Sequence, residues 1–118
     1  MPHKKKILII DDETDLCLLL KDYFTRKKNY EVTLSHSLAD GISLVSAIKP
    51  DILFLDNNLP DDEGWKEAPG IATDNPQTYI VLVSAYHPSV PSMPVADMFR
   101  VIEKPISFSD LDAQFGTF

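Results

Sequence analysis

Five short segments of the chain have the hydrophobic pattern of β-strands. Four of them are nearly continuous apolar runs, at residues 7–10, 51–55, 79–83 and 100–103. Such runs are typical of strands that are buried on both faces of a sheet. The fifth segment, residues 30–35, alternates apolar and polar positions, and this alternation predicts a half-exposed strand at a sheet edge.

Helical patterns fill the connections between the first strands. One apolar stripe recurs at helical spacing and ends near residues 26–29. Its members are Leu16, Leu19, Leu20, Tyr23 and Phe24. A second helix is predicted from Ser37, its N-cap, to Ile48. The later connections, 66–76 and 87–99, contain several prolines, so we expect short, kinked or irregular segments there.

Pattern and composition together indicate one compact α/β domain. Strands separated by helix-length connections predict βαβ units and a parallel sheet. A hydrophobic fraction of 44% suffices for a core, so we expect residues 1–118 to form a single domain.

The net charge of -7 argues against nucleic-acid binding, because proteins bind phosphate backbones through clustered Lys and Arg. No apolar run suits a membrane span or a secretory signal, and we expect a cytoplasmic location.

Polar residues stand at the carboxyl ends of the predicted strands. They are Asp11, Asp12, Glu13, Asp56, Ser84 and Lys104. In an open parallel sheet these ends meet at one edge, where ligands bind. Clustered carboxylates repel one another and attract a hard divalent cation, and oxygen ligands suit Mg²⁺. With a cation, an ammonium group and a hydroxyl beside it, Asp56 could attack a phosphoryl group as a nucleophile.

Each of these features has a simpler explanation when it is taken alone. Asp11 or Asp12 could cap the following helix, and residues 56–64 could be only a turn. Lys104 and Pro105 could simply terminate a strand. Their joint occurrence, in order and at the ends of successive strands, favours a functional site.

Four motifs resemble the receiver domain of two-component response regulators, the CheY-like superfamily. They are ILIIDDE at 7–13, DILFLDNNLPDDEG at 51–64, VLVSAY at 81–86 and IEKPI at 102–106. The resemblance covers essentially the whole chain. It implies a flavodoxin-like fold, a three-layer (βα)5 sandwich whose parallel five-stranded sheet has the order 2-1-3-4-5.

The same resemblance implies a phosphorylation site. Asp56 corresponds to the phosphoacceptor, Ser84 to the switch hydroxyl and Lys104 to the family's lysine. Mg²⁺ would be held by Asp12 and Asp56, by Asp11 through water and by the main-chain carbonyl of Asn58. The phosphoryl donor would be a sensor histidine kinase or a phosphotransfer protein, and the domain would be a phosphoacceptor rather than an enzyme. The Lys104–Pro105 peptide is expected to be cis.

Three departures from the family pattern concern the signalling face. Val101 stands where the family usually has an aromatic residue, three positions before the lysine, and Phe99 or Tyr86 could substitute for it. Prolines occupy 87–99, where the family has its fourth helix, and the tail after Pro105 is short for a complete last helix. A truncated last helix and a following output domain are therefore expected. A phosphorylation-independent protein-interaction module is the alternative function.

Several residues outside these motifs have structural interpretations. Cys17, the only cysteine, lies among leucines and is expected to pack in the first helix. Trp65 follows the phosphoacceptor loop and is expected to be a partly exposed packing residue. His36 and His87 are expected at the surface. A phosphatase acting on external substrates is disfavoured because Asn58, two residues after Asp56, carries no carboxylate for acid or base catalysis.

Overall fold

One parallel sheet forms the centre of the molecule. The computed structural model describes residues 4–85 and 89–118. The strands are β1 (Lys6–Ile10), β2 (Glu31–Ser35), β3 (Ile52–Asp56), β4 (Tyr79–Ser84) and β5 (Phe99–Glu103). They pair in the order β2-β1-β3-β4-β5, and every pair is parallel. The predicted fold class and strand order are confirmed.

Helices cover both faces of this sheet and complete three layers. Within the described residues they are α1 (Thr14–Arg26), α2 (Leu38–Ile48), α3 (Ala68–Asp74) and α4 (Phe108–Phe115). The buried side chains of α1 and α4 share one core cluster, and those of α2 and α3 share the other. The two helices predicted from periodicity are confirmed. None of the described helices is long and apolar enough to cross a lipid bilayer.

The two edge strands differ in how well their sequences predicted them. β2 lies at one edge with mostly half-buried residues, as its alternating pattern predicted. β5 lies at the other edge, where only Ile102 is buried and Val101 is 42% exposed. The prediction that this run is buried on both faces was therefore wrong. An edge strand has a neighbour on one side only, and apolar content alone does not reveal that position.

The connection from β4 to β5 is irregular, as its prolines predicted. Tyr86, His87 and Pro88 lie outside the described residues, so the expectations for Tyr86 and His87 are not addressed. Residues 89–98 contain a single 3₁₀ turn, Ala96–Met98, and no α-helix. The (βα)5 pattern thus lacks its fourth helix within the described residues.

The connection from β3 to β4 is also short and partly irregular. A 3₁₀ turn at Gly64–Glu67 runs into the seven-residue helix α3, whose first turn contains Pro69. Proline is tolerated there because the first helical N–H groups have no partner within the helix.

The last helix, α4, is short but well anchored. A capping box joins Ser107 and Asp110 at its start, and Leu111 and Phe115 are fully buried. From β5, the Arg100 guanidinium reaches the helix and donates hydrogen bonds to the Gln114 carbonyl and side-chain oxygens at 2.6 and 2.7 Å. These contacts fix α4 against the sheet.

Candidate functional site

Three carboxylates meet at the carboxyl edge of the sheet. Asp11 follows β1 and Asp56 ends β3, and the register of these neighbouring strands pairs Ile10 with Leu55. The two acids are therefore adjacent, and both are buried. One carboxylate oxygen from each of Asp11, Asp12 and Asp56 lies within 4.8 Å of the others. Strand register thus brings together the acids that the sequence had singled out.

Lys104 lies against this acidic cluster. Its ammonium nitrogen is 3.1 Å from an Asp11 oxygen, 3.5 Å from an Asp56 oxygen and 3.0 Å from a Glu13 oxygen. Burial alone would lower the pKa of Lys104, but the hydrogen bond to Glu13 and the charges of Asp11 and Asp56 raise it above its usual value. The side chain therefore stays protonated. The Lys104–Pro105 peptide is cis, as predicted.

Burial changes the acidity of the two inner carboxyl groups. Desolvation, together with the charge of Asp11, raises the pKa of Asp56 to about 6, although Lys104 and the Asn58 backbone N–H act in the opposite direction. Desolvation also raises the pKa of Asp11. Burial is the main cause of both shifts, and at Asp56 the neighbouring charge of Asp11 adds to it.

The donor set suits a hard divalent cation. Asp11, Asp12 and Asp56 offer oxygen atoms only, within 4.8 Å of one another. A small divalent cation such as Mg²⁺ prefers carboxylate and water oxygens, and its charge would stabilise the ionised form of these buried carboxyl groups. The residues present therefore fit such an ion.

Ser84 lies at the same edge as the acids. The register pairs Asp56 with Val83, so Ser84 is one residue farther along the neighbouring strand. It is buried, and its carbonyl oxygen accepts the backbone N–H of Lys104 at 3.0 Å. Asp56 and Ser84 thus end the neighbouring strands β3 and β4, and Lys104 directly follows β5. All three were predicted to lie at strand ends.

Asn57 ties the loop after β3 to its surroundings. Its backbone N–H donates to Val83 O at 3.2 Å, and its side-chain oxygen accepts the backbone N–H of Trp65 at 3.1 Å. Its carbonyl oxygen accepts the backbone N–H of Gly64 at 2.9 Å. Sequence analysis assigned no role to Asn57. The signal that could have identified it is its position directly after Asp56, the aspartate at the end of β3.

Trp65 is buried, so the prediction of partial exposure was wrong. Only 4% of the residue is exposed, and its indole nitrogen donates to Leu55 O at 3.1 Å. Gly64 makes this possible, because a Cβ there would lie 2.2 Å from Asp56 O. The chain can therefore pass directly over the end of β3 and carry the indole inward.

Three further residues lie near the acidic cluster. Asn58 is exposed, and its backbone pairs with Glu63 in an isolated antiparallel bridge. Cys17 is buried beside the site with its sulfur 3.2 Å from Asp11 O, which confirms its packing role. His36 is exposed as expected, and its Nδ1 lies 3.0 Å from the same carbonyl oxygen.

Sequence comparisons identify the family to which this arrangement belongs. Residues 7–115 match the response regulator receiver domain family. The transcriptional regulatory protein BtsR of Escherichia coli K12 is 30% identical over 108 residues, which are 91% of this chain and 45% of BtsR. The chain spans less than half the length of the first curated relatives that it matches.

Structural comparisons agree on the fold. A CheY-like receiver domain protein from Methanospirillum hungatei JF-1 has a TM-score of 0.75 and 21% identity, with 97% of this chain and 92% of that chain covered. A response regulator from Burkholderia pseudomallei, described with a phosphorylated aspartic acid and a calcium ion, has a TM-score of 0.74 and 21% identity, with 97% and 68% covered. The chain belongs to the response regulator receiver domain family.

Proposed function

We propose that this receiver domain takes a phosphoryl group onto Asp56 and that the modification changes a protein-binding face. The observation that carries the proposal is the position of the Asp56 carboxylate, which is buried, has oxygens of Asp11 and Asp12 within 4.8 Å and lies 3.5 Å from the Lys104 ammonium. The donor is a phosphohistidine on a sensor histidine kinase or a phosphotransfer protein. Family membership supports this class of partner.

In the transfer step, a carboxylate oxygen of Asp56 forms a bond to phosphorus while the phosphorus–nitrogen bond of the phosphohistidine breaks. The bonding electron pair stays with the imidazole nitrogen. A pKa of about 6 leaves Asp56 mostly ionised near neutral pH, which is the nucleophilic form. The Lys104 ammonium, held at the site by Asp11 and Glu13, neutralises charge on the phosphoryl oxygens.

Mg²⁺ is the proposed cofactor. Asp12, Asp56 and the main-chain carbonyl of Asn58 would hold it directly, and Asp11 would hold it through water. When bound, the ion neutralises the oxygens of the transferring group. The related Burkholderia pseudomallei protein, described with a phosphorylated aspartic acid and a calcium ion, supports the pairing of this modification with a divalent cation.

We place the output of the switch in protein contacts rather than in catalysis. Ser84, at the end of β4, is the hydroxyl proposed to respond to the phosphoryl group. The curated relatives are longer than this chain, which supports an output domain as one partner. A cytoplasmic location, with the kinase, is part of the proposal.

A phosphorylation-independent interaction module is the second candidate function. The observation that favours it is the altered signalling face, where Val101 replaces the usual aromatic residue and residues 89–98 contain no α-helix. Under this alternative, the partner binds equally well whether or not Asp56 is phosphorylated.

The experiment that separates the two candidates is labelling followed by partner binding. The wild type and Asp56→Asn are incubated with a small phosphodonor and Mg²⁺, and each is then tested for binding to its cognate output segment. The proposed switch requires labelling of the wild type only and a change in binding on labelling. Equal binding in all states would favour the interaction module.

A further inference from the structure

The side chain of Asp61 joins the phosphoacceptor loop to the start of helix α2. One of its carboxylate oxygens accepts the backbone N–H of Leu38 at 2.8 Å, and the other accepts that of Ala39 at 2.9 Å. These residues are 23 and 22 positions away in the sequence. A carboxylate is favourable at this place because the N-terminus of a helix carries partial positive charge.

The two hydrogen bonds extend the cap that Ser37 forms at the start of α2. The first turn of a helix leaves four N–H groups without a partner inside the helix. The Ser37 side chain accepts the N–H of Asp40 at 3.3 Å, whereas the N–H of Gly41 donates to the Ser37 carbonyl oxygen at 3.1 Å as the first hydrogen bond of the helix itself. Asp61 therefore supplies acceptors for Leu38 and Ala39, the two N–H groups of the first turn that Ser37 does not reach.

Asp61 stands at the tip of a short, closed loop. The backbone N–H of Leu59 donates to Asp62 O at 3.2 Å, and Asn58 pairs with Glu63 in an antiparallel bridge. Asn58 also donates its backbone N–H to the Asp56 carboxylate. The loop is thus a small hairpin with the proposed cation ligand Asn58 near its base and Asp61 at its end.

The segment that leads into α2 contacts the other part of the acidic cluster, at Asp11. The backbone N–H of Asp11 donates to Ser35 O at 3.0 Å, and the His36 ring nitrogen lies 3.0 Å from Asp11 O. In the helix itself, a Cβ on Gly41 would lie 2.4 Å from the Ile10 side chain, so the first turn packs closely on β1. The residues that lead into α2 therefore contact the Asp11 backbone, while the first turn of α2 is bound by Asp61 of the loop that follows Asp56.

We propose that Asp61 is a positioning residue that sets the affinity of the site for its divalent cation. By fixing the hairpin to α2, it holds Asn58 at a set position relative to Asp11 and Asp12. The proposal rests on the proposed function, because it assumes that the acidic cluster binds Mg²⁺. Reciprocally, cation binding should tighten the contact between Asp61 and α2.

The test compares Mg²⁺ binding by the wild type, Asp61→Ala, Asp61→Asn and the control Asp62→Ala. Asp62 carries the same charge one residue along the loop, but its side chain contacts Lys66 and the Glu63 N–H instead of α2. Mg²⁺ dissociation constants come from titrations of the emission of Trp65, the only tryptophan, and from the rise in Tm with Mg²⁺. Circular dichroism establishes that each variant is folded.

We expect the dissociation constant to rise about fivefold or more in Asp61→Ala, the lower end of typical coupling between sites, and by less than about twofold in Asp62→Ala. Asp61→Asn, which keeps one acceptor oxygen, should lie between the wild type and Asp61→Ala. It also serves as the test variant if Asp61→Ala does not fold.

Two results would overturn the proposal in different ways. Unchanged Mg²⁺ affinity in folded Asp61 variants, with only a lower Tm, would show that Asp61 is a helix cap and nothing more. Equal weakening in Asp62→Ala would show a general charge effect. If the wild type itself binds no Mg²⁺, the proposed function fails together with this inference.

Discussion

The indole nitrogen of Trp65 donates a hydrogen bond to the carbonyl oxygen of Leu55 at 3.1 Å. Leu55 directly precedes the proposed phosphoacceptor, Asp56, and the backbone N–H of Trp65 is held by the Asn57 side chain. Trp65 therefore contacts the chain on both sides of Asp56, through its indole at Leu55 and through its backbone N–H at Asn57.

The first prediction is that Trp65 reports events at Asp56. Addition of Mg²⁺ and a small phosphodonor should change the emission of this buried indole in the wild type, because the phosphoryl group alters the end of β3. Fluorescence of the wild type and Asp56→Asn provides the measurement. An equal phosphodonor-dependent change in Asp56→Asn would mean that the signal arises elsewhere.

The second prediction contrasts two glycines. A Cβ at Gly64 would lie 2.2 Å from the Asp56 carbonyl oxygen, which is backbone and cannot move aside. Gly64→Ala should therefore lower the free energy of unfolding by about 1–3 kcal/mol and expose Trp65. At Gly70, within α3, a Cβ would meet nothing within 4 Å, so Gly70→Ala should raise stability by about 0.5–1 kcal/mol.

Urea denaturation of the two variants checks the contrast between these glycines. Because both substitutions add the same single methyl group, any difference between them reflects the local space and backbone. A Gly64→Ala protein as stable as the wild type would show that the turn does not pass as closely over β3 as described.

The third prediction concerns the pH dependence of stability. The backbone N–H groups of Leu38 and Ala39 hold the pKa of Asp61 below its ordinary value of 3.8. A depressed folded-state pKa contributes stability that is fully present above the unfolded-state value and is lost as the pH falls through the folded-state value. The Tm difference between the wild type and Asp61→Ala should therefore be largest near neutral pH and shrink in acid.

Thermal unfolding from neutral pH into the acid range measures this difference. Asp61→Asn should show no such titration relative to Asp61→Ala, because neither variant carries the carboxyl group. A Tm difference between the wild type and Asp61→Ala that stays constant down to strongly acidic pH would contradict the assigned hydrogen bonds.

The fourth prediction concerns the anchoring of α4. Arg100 donates to the Tyr79 hydroxyl at 2.8 Å and to Gln114, and its guanidinium carbon is 5.0 Å from the centre of the Phe115 ring. Arg100→Ala should lower the free energy of unfolding by about 1.5–3 kcal/mol, the range for hydrogen bonds to charged groups. Arg100→Lys should recover little, since an ammonium lacks the planar fork that makes these contacts.

Arg26 offers a matched control for Arg100. Its side chain is 80% exposed and pairs with Asp22 on the surface of α1. Arg26→Ala should change the free energy of unfolding by less than about 1 kcal/mol, as is usual for exposed ion pairs. Equal losses in chemical denaturation of the two alanine variants would contradict the anchoring role of Arg100.

The features that the sequence predicted well depend on local patterns. The apolar stripe of α1 and the Ser37 cap of α2 depend on residues that are close together in the sequence. The acids at the ends of β1 and β3 could be located because each stands at the end of an apolar run, and parallel strands end at the same edge of a sheet. The prolines of residues 87–99 likewise predicted an irregular connection, because each proline disrupts a helix at its own position.

The features that the sequence did not predict depend on contacts between distant parts of the chain. Trp65 is buried because Gly64 lets its turn lie against Asp56, and β5 is partly exposed because it lies at the sheet edge. In the sequence, nothing distinguishes Asp61 from other polar loop residues, because its partners at the start of α2 lie more than twenty positions away.

The central claim is that Asp56 is the phosphoacceptor, and the intact-protein mass after incubation with acetyl phosphate tests it most directly. The wild type, Asp56→Asn and Asp51→Asn are compared with and without Mg²⁺; Asp51 is an exposed acid whose carboxylate accepts the Lys6 backbone N–H, away from the acidic cluster. We expect one Mg²⁺-dependent phosphoryl adduct on the wild type and Asp51→Asn and none on Asp56→Asn. An adduct that persists in folded Asp56→Asn would contradict the claim.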